Sequence, residues 1–95
     1  MWTANLVIGP NPDKFQNFKK ITVPLQAETL FDLRRKVVEF RKTPSPRILG
    51  LMGVIGGGNW YSCTLLQDSK VAGSIAYNGR IFDTNGEEIV EAAHA

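Results

Sequence analysis

The segment from Thr29 to Lys42 has the helical periodicity that most limits how this chain can fold. Thr29 can cap the first turn, and Asp32 suits the positive end of the helix dipole. The segment Thr43-Pro44-Ser45-Pro46 then prevents the helix from continuing. The apolar residues of the helix fall on one stripe at a spacing of 3.6 residues: Leu30, Leu33, Val37 and Phe40. We therefore predict one amphipathic helix over 29–42.

Strand patterns lie on both sides of this helix. Trp2 to Ile8 alternates between the two faces of a strand, and Ile21 to Leu25 does so again after a polar loop. We expect these strands to form a hairpin, in which Pro24 ends the second strand or places it at an edge of the sheet. The order strand–strand–helix over residues 1–45 resembles the start of a ubiquitin-like β-grasp. This resemblance rests on element order without a motif, and it implies an interaction module.

The second half of the chain has the pattern of further strands and turns. The strands that we predict there are Ile48–Ile55 (buried and bulged), Trp60–Leu66, Val71–Tyr77, Arg80–Asp83 and a short return at Glu87–Val90. Asn78-Gly79 indicates a two-residue turn that pairs Tyr77 with Arg80 and Ile75 with Phe82. The predicted fold is therefore α+β: a curled antiparallel sheet of five or six strands packed on one helix, in the order ββαββββ. We expect a single domain over 1–95 with a frayed tail at 91–95.

The cysteine and histidine content excludes several kinds of site. Cys63 is the only cysteine and His94 the only histidine, so an intrachain disulfide and a thiolate metal cluster are both impossible. We expect no metal, no cofactor and a location in the reducing cytoplasm. The longest apolar stretch, 48–58, is much shorter than the roughly 20 residues of a membrane span, so we expect no membrane partner.

Catalytic residues do not form a recognisable pattern. Cys63 is in phase with Tyr61 and Leu65 on a face that we expect to be buried, and a buried thiol is unreactive. The glycine segment 50–58 matches neither a Walker loop nor a dinucleotide fingerprint. The candidate carboxylates, which we expect to face water, are Asp83, Glu87, Glu88 and Glu91. We therefore predict that the protein is not an enzyme.

The basic helix is the strongest candidate for a binding surface. Residues 1–47 carry nine Lys/Arg and four Asp/Glu, a net charge of +5, whereas residues 48–95 carry two and five, a net charge of −3. Such asymmetry suits an anionic partner, a head-to-tail contact between copies, or two solvated surfaces of opposite sign. The residues that we assign to partner binding are Arg34, Arg35, Arg41 and Lys42 for charge, with Trp60 and Phe31 as aromatic anchors.

Two of these assignments have structural alternatives. Phe31 can instead widen the buried face of the helix while the arginines extend to water. Trp60 shares a predicted strand face with Ser62 and Thr64, where it can anchor a partner, cover the edge of the sheet or close the mouth of a small barrel.

These observations favour a small, non-enzymatic binding or adaptor protein that acts through protein contacts. Because a short sheet leaves free edges, we expect self-association, with an isologous homodimer favoured. Nucleic acid is an alternative partner of the basic helix, although the net charge of +2 disfavours it. A small-ligand carrier is a second alternative, with an apolar pocket in the curled sheet near Met52, Trp60 and Tyr61.

Overall fold

The computed structural model describes residues 1–89 of the chain. Within this range it has five strands and two α-helices, which confirms the α+β class. The elements are β1 (Trp2–Ile8), β2 (Ile21–Ala27), α1 (Leu30–Lys42), α2 (Pro46–Met52), β3 (Trp60–Gln67), β4 (Lys70–Ile75) and β5 (Ile81–Asp83). The order is thus ββααβββ, with a second helix in place of the predicted strand over Ile48–Ile55. The prediction of a frayed tail at 91–95 lies outside the described residues.

The five strands form one antiparallel sheet in the order β2-β1-β3-β4-β5. The predicted hairpin of the first two strands is confirmed, and it pairs Ile8 with Ile21 and Trp2 with Ala27. Pro24 lies inside β2, opposite Asn5, and β2 is an edge strand. An edge position tolerates a proline because one side of the strand forms no ladder.

Both helices pack on the same face of the sheet. Leu6 and Ile8 of β1, fully buried, share one apolar core with Leu33 and Val37 of α1. Ile48 and Met52, one turn apart on α2, extend this core. Neither helix in the described part of the chain has the length and apolar character needed to cross a bilayer.

The predicted strand over Ile48–Ile55 is wrong, because the first part of this segment forms α2. Ser45 is the N-cap residue, and Pro46 occupies the first turn, where its fixed φ favours a helix. Gly53 ends the helix with a φ of 69°, and its N–H donates to the carbonyl of Leu49 at 2.8 Å. The prolines that stop α1 therefore also start α2.

The two-residue turn predicted at Asn78-Gly79 is also wrong, because the loop contains one residue more. The N–H of Gly79 donates to the Ala76 carbonyl at 2.9 Å, and Gly79 has a φ of 87°. Consequently Ile75 pairs with Ile81 instead of Phe82. Such a three-residue loop is a type I turn followed by a left-handed residue.

Asn85-Gly86 forms a turn of the same kind, as the hydrogen bond from Gly86 N–H to the Asp83 carbonyl at 3.0 Å shows. The segment after it bridges Phe82 to Glu88, and the Ile89 N–H donates to the Ile81 carbonyl at 2.7 Å. The predicted return of the chain is thus a single bridge, and Val90 lies outside the described residues.

Candidate binding surface

A stripe along the solvent side of α1 combines apolar and basic side chains. Phe31, Arg35 and Lys42 are spaced by four and seven residues, which places them within about 40° of one another around the helix axis. All three are exposed, and Phe31 keeps 40% of its surface in contact with solvent. Val38, half-buried, lies beside them. We call these four residues the basic stripe.

Hydrogen bonds and an ion pair in the first turn of α1 stabilise the N-terminal end of the basic stripe. The Asp32 N–H donates to Thr29 Oγ1 at 3.1 Å, which confirms the predicted cap. The Asp32 carboxylate also forms an ion pair with Arg35, with 3.1 Å between Asp32 Oδ1 and Arg35 Nη2. Because both side chains are exposed, this pair orients Arg35 without removing it from solvent.

Arg34 and Arg41 lie beside the stripe and contact the turn between β4 and β5. Arg34 Nε donates to the Gly79 carbonyl at 2.9 Å, and Arg41 donates to the carbonyl of Tyr77. The Arg41 guanidinium also lies 4.9 Å from the centre of the Tyr77 ring, a cation–π contact. Of the four basic residues assigned from sequence, Arg35 and Lys42 extend to solvent. The other two, Arg34 and Arg41, connect α1 to the turn between β4 and β5.

Trp60 lies on the core side of the sheet, and the predicted face shared with Ser62 and Thr64 is wrong. The ladder between β1 and β3 pairs Val7 with Ser62 but Ile8 with Trp60, so Tyr61 is an extra residue in a β-bulge. The bulge reverses the alternation, and Trp60 packs against the core. Its ring meets the Tyr77 ring edge to face at 5.8 Å. Trp60 is therefore connected to Arg41 through Tyr77 and does not belong to the basic stripe.

The bulge also separates Tyr61 from Cys63 and Leu65, with which it was predicted to share a buried face. Tyr61 is 40% exposed, and its hydroxyl donates to the Pro10 carbonyl at 2.7 Å. Cys63 and Leu65 are buried as predicted, with Cys63 only 3% exposed. Burial raises the pKa of the Cys63 thiol from 9.0 to about 12. This thiol therefore stays protonated and unreactive at neutral pH.

The sequence pattern gives no indication that the side-chain amide of Asn59 is buried and hydrogen-bonded. It is fully buried immediately before β3, where its Nδ2 donates to the Gly9 carbonyl at 2.8 Å and to Gln16 Oε1 at 2.7 Å. Its Oδ1 accepts from the Gly56 N–H at 3.1 Å, and Gln16 Nε2 in turn donates to the Met52 carbonyl at 3.0 Å. Asn59 thus joins the loop after β1 to the glycine-rich loop after α2. Its place at the end of three glycines indicates a turn but not burial.

Two of the carboxylates considered for catalysis, Asp83 and Glu88, form contacts at the last turn. Asp83 Oδ1 accepts from the N–H groups of Asn85 at 2.9 Å and Glu87 at 3.0 Å. Glu88 forms an ion pair with Arg80 at 3.5 Å. Among residues 1–89, no three His, Cys, Asp or Glu side chains lie close enough to share a metal ion. Glu91 and His94 lie outside this range.

The inner face of the sheet holds core side chains, and Met52 is buried among them. A cleft of about 390 Å³ lies elsewhere, at the turn between β3 and β4. Its lining residues are Gln67, Asp68, Lys70, Val71 and Ala72. This position is separate from the pocket expected near Met52, Trp60 and Tyr61.

Comparisons with protein-family models, with curated proteins and with solved structures found no match. Function is therefore inferred from the residues of this chain alone.

Proposed function

We propose that this protein is a small, non-enzymatic binding or adaptor protein of the cytoplasm that docks an acidic segment of a protein partner on the basic stripe of α1. The observation that carries this proposal is the alignment of Phe31, Arg35 and Lys42 on the exposed side of one helix. An exposed aromatic ring followed along the helix by two cations suits a segment that combines apolar and acidic residues. Aromatic and arginine side chains contribute most of the binding energy at such contacts.

The distribution of cations on α1 favours a protein over a nucleic acid. The helix carries five basic and two acidic residues, but the guanidinium groups of Arg34 and Arg41 donate to backbone carbonyls. Lys36 Nζ likewise donates to the Gln26 carbonyl at 2.7 Å. A phosphate backbone requires many free cations along its path. The basic stripe offers two cations and two apolar side chains, which match an acidic peptide better.

The proposal includes self-association as a homodimer. The basic stripe lies on the helical side of the sheet, so a contact between copies through another surface leaves it free.

The test measures fluorescence anisotropy of two labelled probes as the full-length protein is added. One probe is a peptide of about 15 residues that alternates Glu or Asp with Leu and Phe, and the other is a single-stranded oligonucleotide of equal charge. Each titration is made at about 50 and about 300 mM salt. We expect micromolar binding of the peptide, weaker binding at the higher salt, and at least tenfold weaker binding of the oligonucleotide.

A pair of charge-matched variants locates the site. Arg35→Glu/Lys42→Glu and Lys14→Glu/Lys70→Glu change the net charge equally, but only the first alters the basic stripe. We expect at least tenfold loss of peptide affinity in the first variant and less than twofold loss in the second. The proposal is contradicted if the two variants lose peptide affinity equally, or if the natural sequence does not bind the peptide. Stronger binding of the oligonucleotide, lost in the first variant, favours the nucleic-acid alternative instead.

A further inference from the structure

Two turns of this fold contain the same pair of residues in the same backbone conformation. Asn78-Gly79 follows β4, and Asn85-Gly86 follows β5. In each turn the glycine is left-handed, with a φ of 87° or 81°, and its N–H donates to the carbonyl three residues earlier. An Asn-Gly pair is chemically labile in an open chain, because glycine has no side chain to keep its backbone nitrogen away from the asparagine carboxamide. The two turns therefore present one reaction in two environments.

The turn between β4 and β5 is held in place by contacts with the rest of the fold. Arg34 Nε donates to the Gly79 carbonyl at 2.9 Å, and Gly79 is buried. Asn78 Oδ1 accepts from the Arg80 N–H at 3.0 Å, which fixes the carboxamide. The carbonyl of Tyr77 also accepts a hydrogen bond from α1. Rotation of the Asn78 side chain toward the next backbone nitrogen therefore disturbs several contacts together.

The turn after β5 is held only by its own residues. Asp83 Oδ1 accepts from the N–H groups of Asn85 and Glu87, and the Asp83 N–H donates to the Glu87 carbonyl at 2.8 Å. Residues 84–87 are exposed, and within the described chain no atom lies within 4 Å of a Cβ added to Gly86. None of the side-chain hydrogen bonds among residues 1–89 involves the Asn85 carboxamide. This side chain can therefore rotate without breaking a contact to another element.

We propose that Asn85 is a site of spontaneous deamidation, at which the folded protein slowly acquires isoaspartate, while the surrounding contacts protect Asn78. The inference goes beyond the proposed function. It involves neither the basic stripe nor a partner molecule, and its only co-reactant is water.

The reaction at Asn85 is an attack by the backbone on the side chain. The Gly86 nitrogen gives its proton to hydroxide and attacks Asn85 Cγ, so that a bond between nitrogen and Cγ forms. The bond between Cγ and Nδ2 breaks, and Nδ2 leaves as ammonia after taking a proton from water. Water then opens the resulting ring at one of its two carbonyl groups. Opening at Cγ gives aspartate, whereas opening at the main-chain carbonyl gives isoaspartate, whose backbone runs through Cγ. No atom is oxidised or reduced.

The difference in rate follows from the opening that each turn requires. In both turns the glycine N–H must leave its carbonyl acceptor before the ring can form. At Asn85 this opening breaks hydrogen bonds only within residues 83–87, whereas at Asn78 it also disturbs the bond from Arg34. Because local openings become rarer as they break more native contacts, we expect Asn85 to react at least about tenfold faster than Asn78 in the folded protein.

Isoaspartate at this position alters the cover of the β5 edge. Conversion of a neutral amide to a carboxylate lowers the net charge from +2 to +1. The added backbone atom also disturbs the hydrogen bonds between Asp83 and Glu87. The chain beyond this turn covers β5 through the Phe82–Glu88 bridge. We therefore expect the modified protein to leave unpaired backbone groups along β5.

Incubation of the full-length protein at mildly alkaline pH, folded or in concentrated urea, tests the proposal. Trypsin cleaves after Lys70 and Arg80, so Asn78 and Asn85 lie in the separate peptides 71–80 and 81–95. Mass spectrometry then measures deamidation in each peptide. We expect at least about a tenfold difference in the folded protein, and rates within about twofold of each other in urea. Equal rates in the folded protein, or a faster reaction at Asn78, overturn the proposal.

Arg34→Met shows whether the contacts of the fold cause the protection. This variant removes the hydrogen bond to the Gly79 carbonyl but leaves the sequence of both Asn-Gly pairs unchanged. We expect faster deamidation of Asn78 in this variant and an unchanged rate at Asn85. An unchanged rate at both positions contradicts protection by the fold.

Asn85→Asp is the matched variant for the effect on β5, because it carries the new charge on a backbone of normal length. The Ile89 N–H, which donates to the Ile81 carbonyl at 2.7 Å, reports on the cover of this edge. We expect its hydrogen exchange to be faster in the isoaspartate form than in Asn85→Asp. Equal exchange in the two forms overturns the predicted exposure of β5.

Discussion

Arg34 Nε lies 2.9 Å from the carbonyl oxygen of Gly79, and this hydrogen bond joins α1 to the turn between β4 and β5. Gly79 is buried, and a Cβ added there would lie 3.1 Å from both Arg34 Nη2 and Val38 Cγ2. Two helical turns further along, Arg41 contacts Tyr77 of the same turn. Two arginines that suggest a binding surface in the sequence thus fix the position of a loop.

Replacing Arg34 tests this role directly. Arg34→Met keeps the apolar stem but leaves the Gly79 carbonyl without its charged donor, so we expect the free energy of unfolding to fall by about 1.5–3 kcal/mol. The control is Arg35→Met, which breaks only an exposed ion pair with Asp32 and should cost less than about 1 kcal/mol. Urea denaturation of both variants gives the comparison. If both variants lose the same free energy of unfolding, the hydrogen bond from Arg34 to the Gly79 carbonyl contributes no more than the exposed ion pair of Arg35.

The buried amide of Asn59 leads to a second prediction. Asn59→Ala leaves the Gly9 carbonyl, the Gly56 N–H and Gln16 Oε1 each without one hydrogen bond. Because unsatisfied buried groups cost about 1–3 kcal/mol each, we expect a loss of about 3 kcal/mol in the free energy of unfolding. Asn17→Ala, at an exposed position in the same loop region, should change stability by less than about 0.5 kcal/mol. A thermal melt of Asn59→Ala that matches that of Asn17→Ala would contradict a structural role for the network.

The elements that were predicted correctly are those whose pattern is long and local. The seven residues of β1 alternate without interruption, and α1 has a cap, an apolar stripe and a proline stop. The segment that forms α2 has seven residues, too few to distinguish a buried helix from a buried strand by periodicity. Its apolar residues and two glycines fitted a bulged strand equally well.

The features of the candidate site that the sequence does not reveal arise from a single-residue shift and from contacts distant in sequence. The bulge at Tyr61 moves Trp60 to the core side, and nothing in the alternation of β3 indicates where such an extra residue occurs. The contacts of Arg34 and Arg41 reach residues 45 and 36 positions away. A helical wheel shows that such side chains flank the apolar stripe but not which backbone carbonyl they meet.

Gly73 leads to a third prediction, because a side chain at this position of β4 would meet the backbone of β5. It has a φ of 152°, and an added Cβ would lie 1.9 Å from the backbone oxygen of Phe82. Since a backbone atom cannot move aside as a side chain can, we expect Gly73→Ala to cost more than about 3 kcal/mol. Circular dichroism during chemical denaturation measures this loss.

Gly50 provides the matched control for that substitution. It lies inside α2, and no atom is within 4 Å of an added Cβ. Gly50→Ala should therefore stabilise the protein by about 0.5–1 kcal/mol through its higher helix propensity. If both alanines destabilise the protein to the same extent, the close contact at Gly73 is not the cause.

Because the Cys63 thiol is buried, we expect the free energy of unfolding to fall at alkaline pH. Burial raises its pKa in the folded protein from 9.0 to about 12, so between these values the unfolded chain releases a proton that the folded chain keeps. The unfolded state then binds fewer protons, and the free energy of unfolding must fall as the pH rises. The full stability is present below pH 9, and we expect the thiol to account for a loss of about 2 kcal/mol by about pH 10.5.

Cys63→Ala is the necessary comparison, because it separates the effect of the thiol from every other effect of alkali. This variant loses some core packing at every pH, but it has no thiol to ionise. Urea denaturation at about pH 8 and about pH 10.5 should show a smaller alkaline loss in Cys63→Ala than in the natural sequence, by about 2 kcal/mol. Identical losses would mean that the thiol ionises as readily in the folded chain as in the unfolded one. Alkylation by iodoacetamide then provides a second measurement, since a buried thiol reacts only when the chain unfolds.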